Sequence, residues 1–263
     1  MSWDQLAAPG LVLADSPAES ARFGRAVSRL TIGAGALDPD ELAALVAGSA
    51  ADVLVVRYDA GRQEVPALLA SGSRAVLPAG ALTYWEKALE HGSVGAPARS
   101  AVVGPGELGG DAAEAAVREV VRSSFADYGN HYTADPLLDR DAALAGYEEW
   151  ATGSLARESD DVLVQTVDGA CVGVATLERA DDHVEVLLAG LVPSAQGRGL
   201  YGDLLVAVQA WALERGLSRL VISTQVHNVR VQRAWARAGL RPFAAVETVH
   251  LVDRETLRAA RAR

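Results

Sequence analysis

Leu188-Ala-Gly-Leu-Val-Pro193-Ser-Ala-Gln196-Gly-Arg-Gly199-Leu-Tyr-Gly202-Asp-Leu-Leu205 decides how this chain folds, because an apolar run of strand character passes through a glycine-rich turn into the start of an amphipathic helix. Small residues in such a turn let the backbone approach a ligand closely. The free N–H groups of the helix's first turn point at an anion, and Arg198 adds positive charge, so the turn suits a pyrophosphate. Dinucleotide and nucleoside-triphosphate turns need Gly-x-Gly-x-x-Gly or a terminal Gly-Lys-Ser/Thr, and neither is present.

A second stretch lies downstream. Leu220-Val-Ile-Ser-Thr-Gln225-Val-His-Asn228 reads as a buried strand running into a helix, Val229-Arg-Val-Gln-Arg-Ala-Trp235-Ala-Arg-Ala, with Asn228 at its N-cap and Gly239 and Pro242 stopping it. Together the two stretches resemble the coenzyme A motifs of the GNAT acetyltransferase superfamily, in the family's order and spacing. Gln196-x-x-Gly199 is similar to its pyrophosphate loop, and Asn228 to the Asn that opens the helix beside the coenzyme arm. The resemblance implies acetyl-CoA as co-substrate, held by Leu191, Val192, Gln196, Gly197, Arg198, Gly199, Leu200, Tyr201, Gly202 and Asn228.

Working outward, helices are expected over 111–125 and 140–156, then strands over 161–167, 170–177 and 183–192. Asp168-Gly169 is a strong hairpin signal in this meander. Helix 199–214, strand 218–224, helix 228–238 and strand 243–251 complete an order that is also the GNAT order, so the resemblance covers roughly residues 111–252. Upstream, strands at 26–32, 52–57, 74–77 and 81–89 alternate with helices at 39–47 and 62–70, and Asp38 with Glu41 forms a capping-box pattern. The stretch 91–110 is rich in Gly, Pro and Ser and marks a boundary. The expected class is α/β (α+β). Residues 104–263 would form a GNAT domain with a mixed, mostly antiparallel sheet splayed at the coenzyme slot, and residues 1–103 a smaller N-terminal partial GNAT-like α/β domain. The charged tail 253–263 reads as a solvated helix.

Phe125-Ala-Asp-Tyr128-Gly-Asn-His131-Tyr132-Thr-Ala-Asp-Pro, followed by Gly146-Tyr-Glu-Glu-Trp150, resembles the helix–loop–helix of GNAT members that acetylate a nucleotide-linked amino sugar, the TDP-fucosamine acetyltransferase type. Arg22-Phe-Gly-Arg and Ser28-Arg-Leu are similar to the partial domain those enzymes carry in front, and Thr224-Gln225 fits the same group. In the family this loop borders the acceptor, which makes Tyr128, His131 and Tyr132 the candidate substrate-binding residues: rings to stack on a sugar or base, and polar tips to hydrogen-bond it.

Acetyl transfer from a thioester to an amine needs a neutral amine, a held carbonyl and a proton for the departing thiolate. Strand 183–192 would flank the coenzyme, a backbone N–H near Leu191 would stabilise the oxyanion, and Gly190 would form a bulge that opens the slot. Glu185 is the candidate base, either directly or by ordering a water that takes the amine proton. In the superfamily a tyrosine four residues before the second motif's closing Gly commonly protonates the thiolate; here that position is Trp235, whose indole is no acid at neutral pH but donates a hydrogen bond. Tyr201, in place of the usual small residue two positions after Gly199, is the candidate acid.

Half of the 263 residues are hydrophobic, enough for a sizeable core, but only 5% are aromatic. A net charge of −10 argues against nucleic acid or an anionic membrane as the main partner. Cys171 stands alone, so no internal disulfide forms, and the five histidines show no metal-ligand spacing. Without a leader-like N-terminus or a long apolar run, a cytoplasmic location is expected. The expected partner is a small-molecule amine acceptor, and a homodimer is allowed. The alternatives are an acetyltransferase for an antibiotic, peptide or protein amine, and a coenzyme A-binding protein with weak turnover.

Overall fold

In the computed structural model, which describes residues 3–157 and 161–262, the strands are β1 Leu11–Asp15, β2 Val27–Ile32, β3 Val53–Asp59, β4 Ala75–Ala88, β5 Ala101–Val103, β6 Val162–Val167, β7 Ala170–Arg179, β8 His183–Leu191, β9 Arg219–Gln225 and β10 Arg241–Val252. The main helices are α1 Trp3–Ala7, α2 Pro17–Phe23, α3 Pro39–Gly48, α4 Val65–Ala70, α5 Gly110–Phe125, α6 Arg140–Arg157, α7 Leu200–Glu214, α8 Val229–Arg237 and α9 Arg254–Arg261. The strands join in one mixed sheet in the order β1-β2-β3-β10-β4-β9-β8-β7-β6-β5. The chain's last strand, β10, therefore lies between β3 and β4 of the N-terminal half, antiparallel to both. Its end, Val246 to Val252, is largely buried, and a strand covered on both faces needs a paired neighbour on each edge.

Local signals place the elements around this sheet. Asp38 caps α3 by accepting from the N–H groups of Asp40 and Glu41. Asp168 and Gly169 turn at φ 52° and 79°, the pair of positive values a two-residue hairpin loop requires, and join β6 to β7. Leu204, Leu205, Val208, Trp211 and Ala212 of α7 pack on Leu177, Val184, Val186, Leu220 and Ile222 of the sheet. Val117, Val120 and Val121 of α5 meet Val162, Val164, Val174 and Leu188. Each such buried aliphatic side chain contributes about 1.5–3 kcal/mol.

The central opening comes from strand register. β8 and β9 pair in parallel from His183↔Arg219 to Val186↔Ile222 and then separate, β8 staying with β7 and β9 with β4. The bulge lies at Leu187, the extra residue between Thr176↔Leu188 and Leu177↔Val186, and not at Gly190 as expected. Gly190 pairs regularly with Val174; its missing Cβ makes room for α5, since an added one would sit 2.9 Å from the Ser124 Cβ and 3.1 Å from the Phe125 ring.

Other expectations are corrected. The two strands at 74–77 and 81–89 are one, β4, which continues through an irregularity where Gly80 takes φ 96°. The tail is not wholly solvated: Asp253 caps α9, and Leu257 is buried against Val27, Val53 and Val252. The elements α1, β1, α2 and β5 were not foreseen; they are short, and their apolar residues show too few periods to register.

Candidate active site

A cleft of about 2130 Å³ runs from the glycine-rich turn, through the gap between β8 and β9, to residues of the N-terminal half. At the turn end, Gly197 and Gly199 take φ 78° and 81°, values that favour glycine, and open space lies where a Gly197 Cβ would be. Gln196 braces the turn: its amide donates to the Leu191 carbonyl (3.0 Å) and its Oε1 accepts from Arg230 (2.8 Å). Leu191, Gln196, Gly197, Gly199, Tyr201 and Gly202 line the cleft. The Leu200 and Val192 side chains instead pack in an apolar cluster with Leu191 and Ala195, and Arg198 is exposed. The residues present suit a pyrophosphate through backbone N–H groups and the open glycine turn.

Arg99, which the sequence does not single out, lies over this turn. Its guanidinium approaches Gly199, and its backbone N–H donates to the buried carboxylate of Asp203 at 2.6 Å. Ser100 donates to the same carboxylate, and Gln165 links Ser100 to the Leu200 carbonyl. A carboxylate in the first turn of α7 opposes a bound anion, and Arg99, whose Nη1 is 3.7 Å from Asp203, offsets it. A lone Arg in a Gly/Pro/Ser stretch carries no sequence signal for such a position.

Deeper in, strand pairing orients the β8 backbone. Val192 donates to the Val172 carbonyl, so by the alternation of an antiparallel ladder Ala189 and Leu191 direct their N–H groups away from β7, toward the side that β9 has left. Facing this gap, Trp235 donates from Nε1 to the Tyr201 hydroxyl at 3.1 Å. The residue at the usual tyrosine position and the candidate acid thus form one unit. Burial pushes Tyr201 up to about 12, against a smaller lowering by the Trp235 bond, which keeps the phenol protonated at neutral pH. Asn228 sits at the N-cap position of α8 without capping it; its amide donates to Thr224 Oγ1 at 3.0 Å, because the backbone turns at ψ 59° there. Thr224 also meets the Tyr128 hydroxyl (3.3 Å), which accepts from the Gln225 N–H.

Glu185 lines the cleft and is 3% exposed. Burial raises it to about 7, countered in part by the Trp3 N–H, which donates to its Oε2 at 2.6 Å. Nothing in the sequence links residue 3 with residue 185. Tyr84 of β4 stands nearby and is raised to about 12, by burial first and then by the Glu185 charge.

At the far end the expected substrate residues separate. Tyr128 forms an aromatic wall with Phe125 and Tyr147. Tyr132 donates to Glu19, which accepts both bonds of Arg29 at 2.7 Å. The buried Arg29 pair holds Glu19 near 2 against the opposing effect of burial. His131 is buried and hydrogen-bonded to His250. Arg57 also lines this end, fully within the fold. Among the described residues, no group of three or more His, Cys, Asp or Glu side chains is arranged to hold a metal ion.

Residues 117–240 match the model of the acetyltransferase (GNAT) family. The chain has the α/β GNAT fold with a mixed sheet. The chain is also 28% identical over 124 residues to the spore coat polysaccharide biosynthesis protein SpsD of Bacillus subtilis, a match covering 47% of this chain and 42% of that relative. Among solved structures, it resembles a GCN5-related N-acetyltransferase from Sphaerobacter thermophilus at TM-score 0.62 and 14% identity, over 91% of this chain and 76% of the other. A tandem GNAT protein from the clavulanic acid biosynthesis pathway aligns over 92% of this chain and 84% of its own, with TM-score 0.56 and 14% identity. These two likenesses show the fold. The GNAT fold is that of N-acetyltransferases, a family whose general co-substrate is acetyl-CoA. No helix among the described residues is long and apolar enough to cross a membrane.

Proposed function

We propose that this protein is an acetyl-CoA-dependent N-acetyltransferase acting on a primary amine, with a nucleotide-linked amino sugar as acceptor. The observation that carries the reading is the placement on one cleft of a buried carboxylate raised to about 7, Glu185, and a partly buried, protonated phenol, Tyr201, one suited to take a proton and the other to give one. The sugar acceptor rests on the resemblance of the Tyr128–Tyr132 loop to sugar-nucleotide acetyltransferases and on the polysaccharide-biosynthesis name of the Bacillus relative.

Acetyl-CoA supplies the activated acetyl thioester. Glu185 takes the proton of the acceptor ammonium and so frees the amine lone pair. The Ala189 and Leu191 N–H groups are the donors available to the thioester oxygen. As the C–N bond forms and the C–S bond breaks, Tyr201 donates its proton to the departing sulfur, and the second proton that the nitrogen sheds on becoming an amide restores the phenol. Trp235 occupies a lone pair on the phenol oxygen and fixes where the O–H points. A phenol near 12 still serves, because a thiolate formed in the same water-poor site is itself destabilised and binds a proton more tightly. Residues 1–103, in this reading a partial GNAT-like domain, supply Trp3, Tyr84 and, opposite the Tyr128–Tyr132 loop, the Glu19, Arg29 and Arg57 side of the acceptor end.

Thiol release from acetyl-CoA, measured against TDP- and UDP-linked amino sugars, aminoglycosides and amine-bearing peptides, tests the reading. Turnover confined to the nucleotide sugars is expected. Turnover on aminoglycosides or peptides alone would replace the acceptor, an outcome the −10 net charge would favour. Coenzyme binding with no thiol release across the panel would leave a binding protein. The reading also assigns Arg99 to the coenzyme phosphates. By titration calorimetry, Arg99→Ala is expected to weaken acetyl-CoA binding about fivefold at low salt and less at high salt, as for a partly exposed cation; equal affinity at both salts would remove Arg99 from the site.

A further inference from the structure

Three residues distant in sequence form a buried chain that ends at the cleft. Asp135, His250 and His131 are 2%, 0% and 5% exposed. Asp135 Oδ1 accepts from the Leu137 N–H, and its Oδ2 meets His250 Nδ1 at 2.9 Å. On the other side of that ring, His250 Nε2 lies 3.0 Å from His131 Nδ1. His131 lines the cleft from the turn His131–Ala134, which Asn130 caps through the N–H groups of Tyr132 and Thr133. Its Nε2 has no hydrogen-bond partner among the described residues.

The chemistry of the chain sets its direction. A carboxylate has no proton to give, so His250 donates from Nδ1. In the neutral ring Nε2 then carries a lone pair, and His131 must donate to it from Nδ1. That leaves His131 Nε2 as a bare acceptor. Burial, with the Arg57 and Arg29 charges in support, holds His131 well below its usual pKa and so neutral.

We propose that Asp135 and His250 lock His131 as a hydrogen-bond acceptor in the wall of the acceptor end, where it reads an O–H or N–H group of the acceptor and rejects analogues that offer only an acceptor atom there. The proposal rests on the acetyltransferase reading for the identity of the cleft. Within it, His131 is a specificity residue, and His250 and Asp135 are positioning residues.

The test begins with the ring protons themselves. Long-range ¹H–¹⁵N spectra of the labelled full chain, with His131 signals identified by their loss in His131→Gln, are expected to show protonated Nδ1 and bare Nε2. A protonated Nε2 overturns the proposal whatever the activity. In Asp135→Asn the amide can donate to His250, which reverses the chain and puts the proton on His131 Nε2. The expected kinetic result is a rise of about tenfold in acceptor KM, with acetyl-CoA KM unchanged. Inverted spectra with an unchanged acceptor KM would show that nothing is read at this nitrogen.

Should Asp135→Asn fail to fold, His131→Leu and His131→Gln replace it. Leu is expected to raise acceptor KM about tenfold, and Gln, which keeps an acceptor oxygen, to restore most of the loss. Equal values for the two overturn the proposal. An inactive protein with bare Nε2 would count against the acetyltransferase reading and leave the polarity of the wall standing.

Discussion

Replacing Tyr201 by Phe is expected to lower the turnover of thiol release about 10²-fold while acetyl-CoA affinity stays within twofold, the signature of a group needed in the transition state but not for binding. The ring still fills its place, because the contacts of Tyr201 with the α7 and sheet core are apolar and Phe keeps them. What disappears is the hydroxyl, and with it the acceptor of the Trp235 N–H. An indole donor left buried without a partner costs about 1–3 kcal/mol, so a modest fall in Tm accompanies the kinetic change. Single-turnover measurements of free thiol, with calorimetry for coenzyme binding, separate the two effects. Unchanged turnover would show that the sulfur takes its proton from water, and Tyr201 would then be packing alone.

Glu185→Gln is expected to move activity and stability in opposite directions. The free-enzyme kcat/KM of the native protein should rise with pH through about 7, where the Glu185 carboxylate forms, and level off above it. In the Gln variant this limb disappears and the plateau falls about 10²-fold.

Stability follows from linkage. The folded-state value of Glu185 is raised, from 4.5 to about 7, so between those limits the folded protein holds a proton that the unfolded chain has released. Stability therefore falls as pH rises through this window, and above it the buried carboxylate exerts its full cost. Gln keeps an oxygen for the Trp3 N–H and carries no charge. Its Tm should exceed the native value at pH 8, by the equivalent of about 3 kcal/mol, and converge with it near pH 4. Native turnover in the variant would mean that Glu185 is not the base, and no gain at pH 8 would mean that its burial carries no cost.

The parts legible in the sequence are those whose physics is local. The turn from β8 into α7 could be read because glycines at positive φ and an apolar helix leave their mark within twenty residues, and the same holds for the Asp168-Gly169 hairpin and the Asp38 cap. Trp235 and Tyr201 were each legible as chemistry, one as a departure from a motif and the other as a side chain larger than expected. Their contact was not, because it depends on how α7 and α8 lie across the β8–β9 gap. Gly190 shows the limit in reverse: a glycine in a strand signals either a bulge or a close approach, and only the packing of α5 selects the second.

By itself, the sequence determined the element order of the C-terminal half, the glycine turn with its strand and helix, and the titratable side chains that the strand and helix carry. The tertiary structure decided what those side chains are. Trp3 reaches Glu185 across 182 residues and His131 reaches His250 across 119, through a sheet that places β10 between β3 and β4. Pairings of that span leave no periodic trace in a sequence. The raised carboxylate of Glu185, the protonated Tyr201 and the one-way chain from Asp135 to His131 all come from burial and from partners that only the closed fold brings within hydrogen-bond reach.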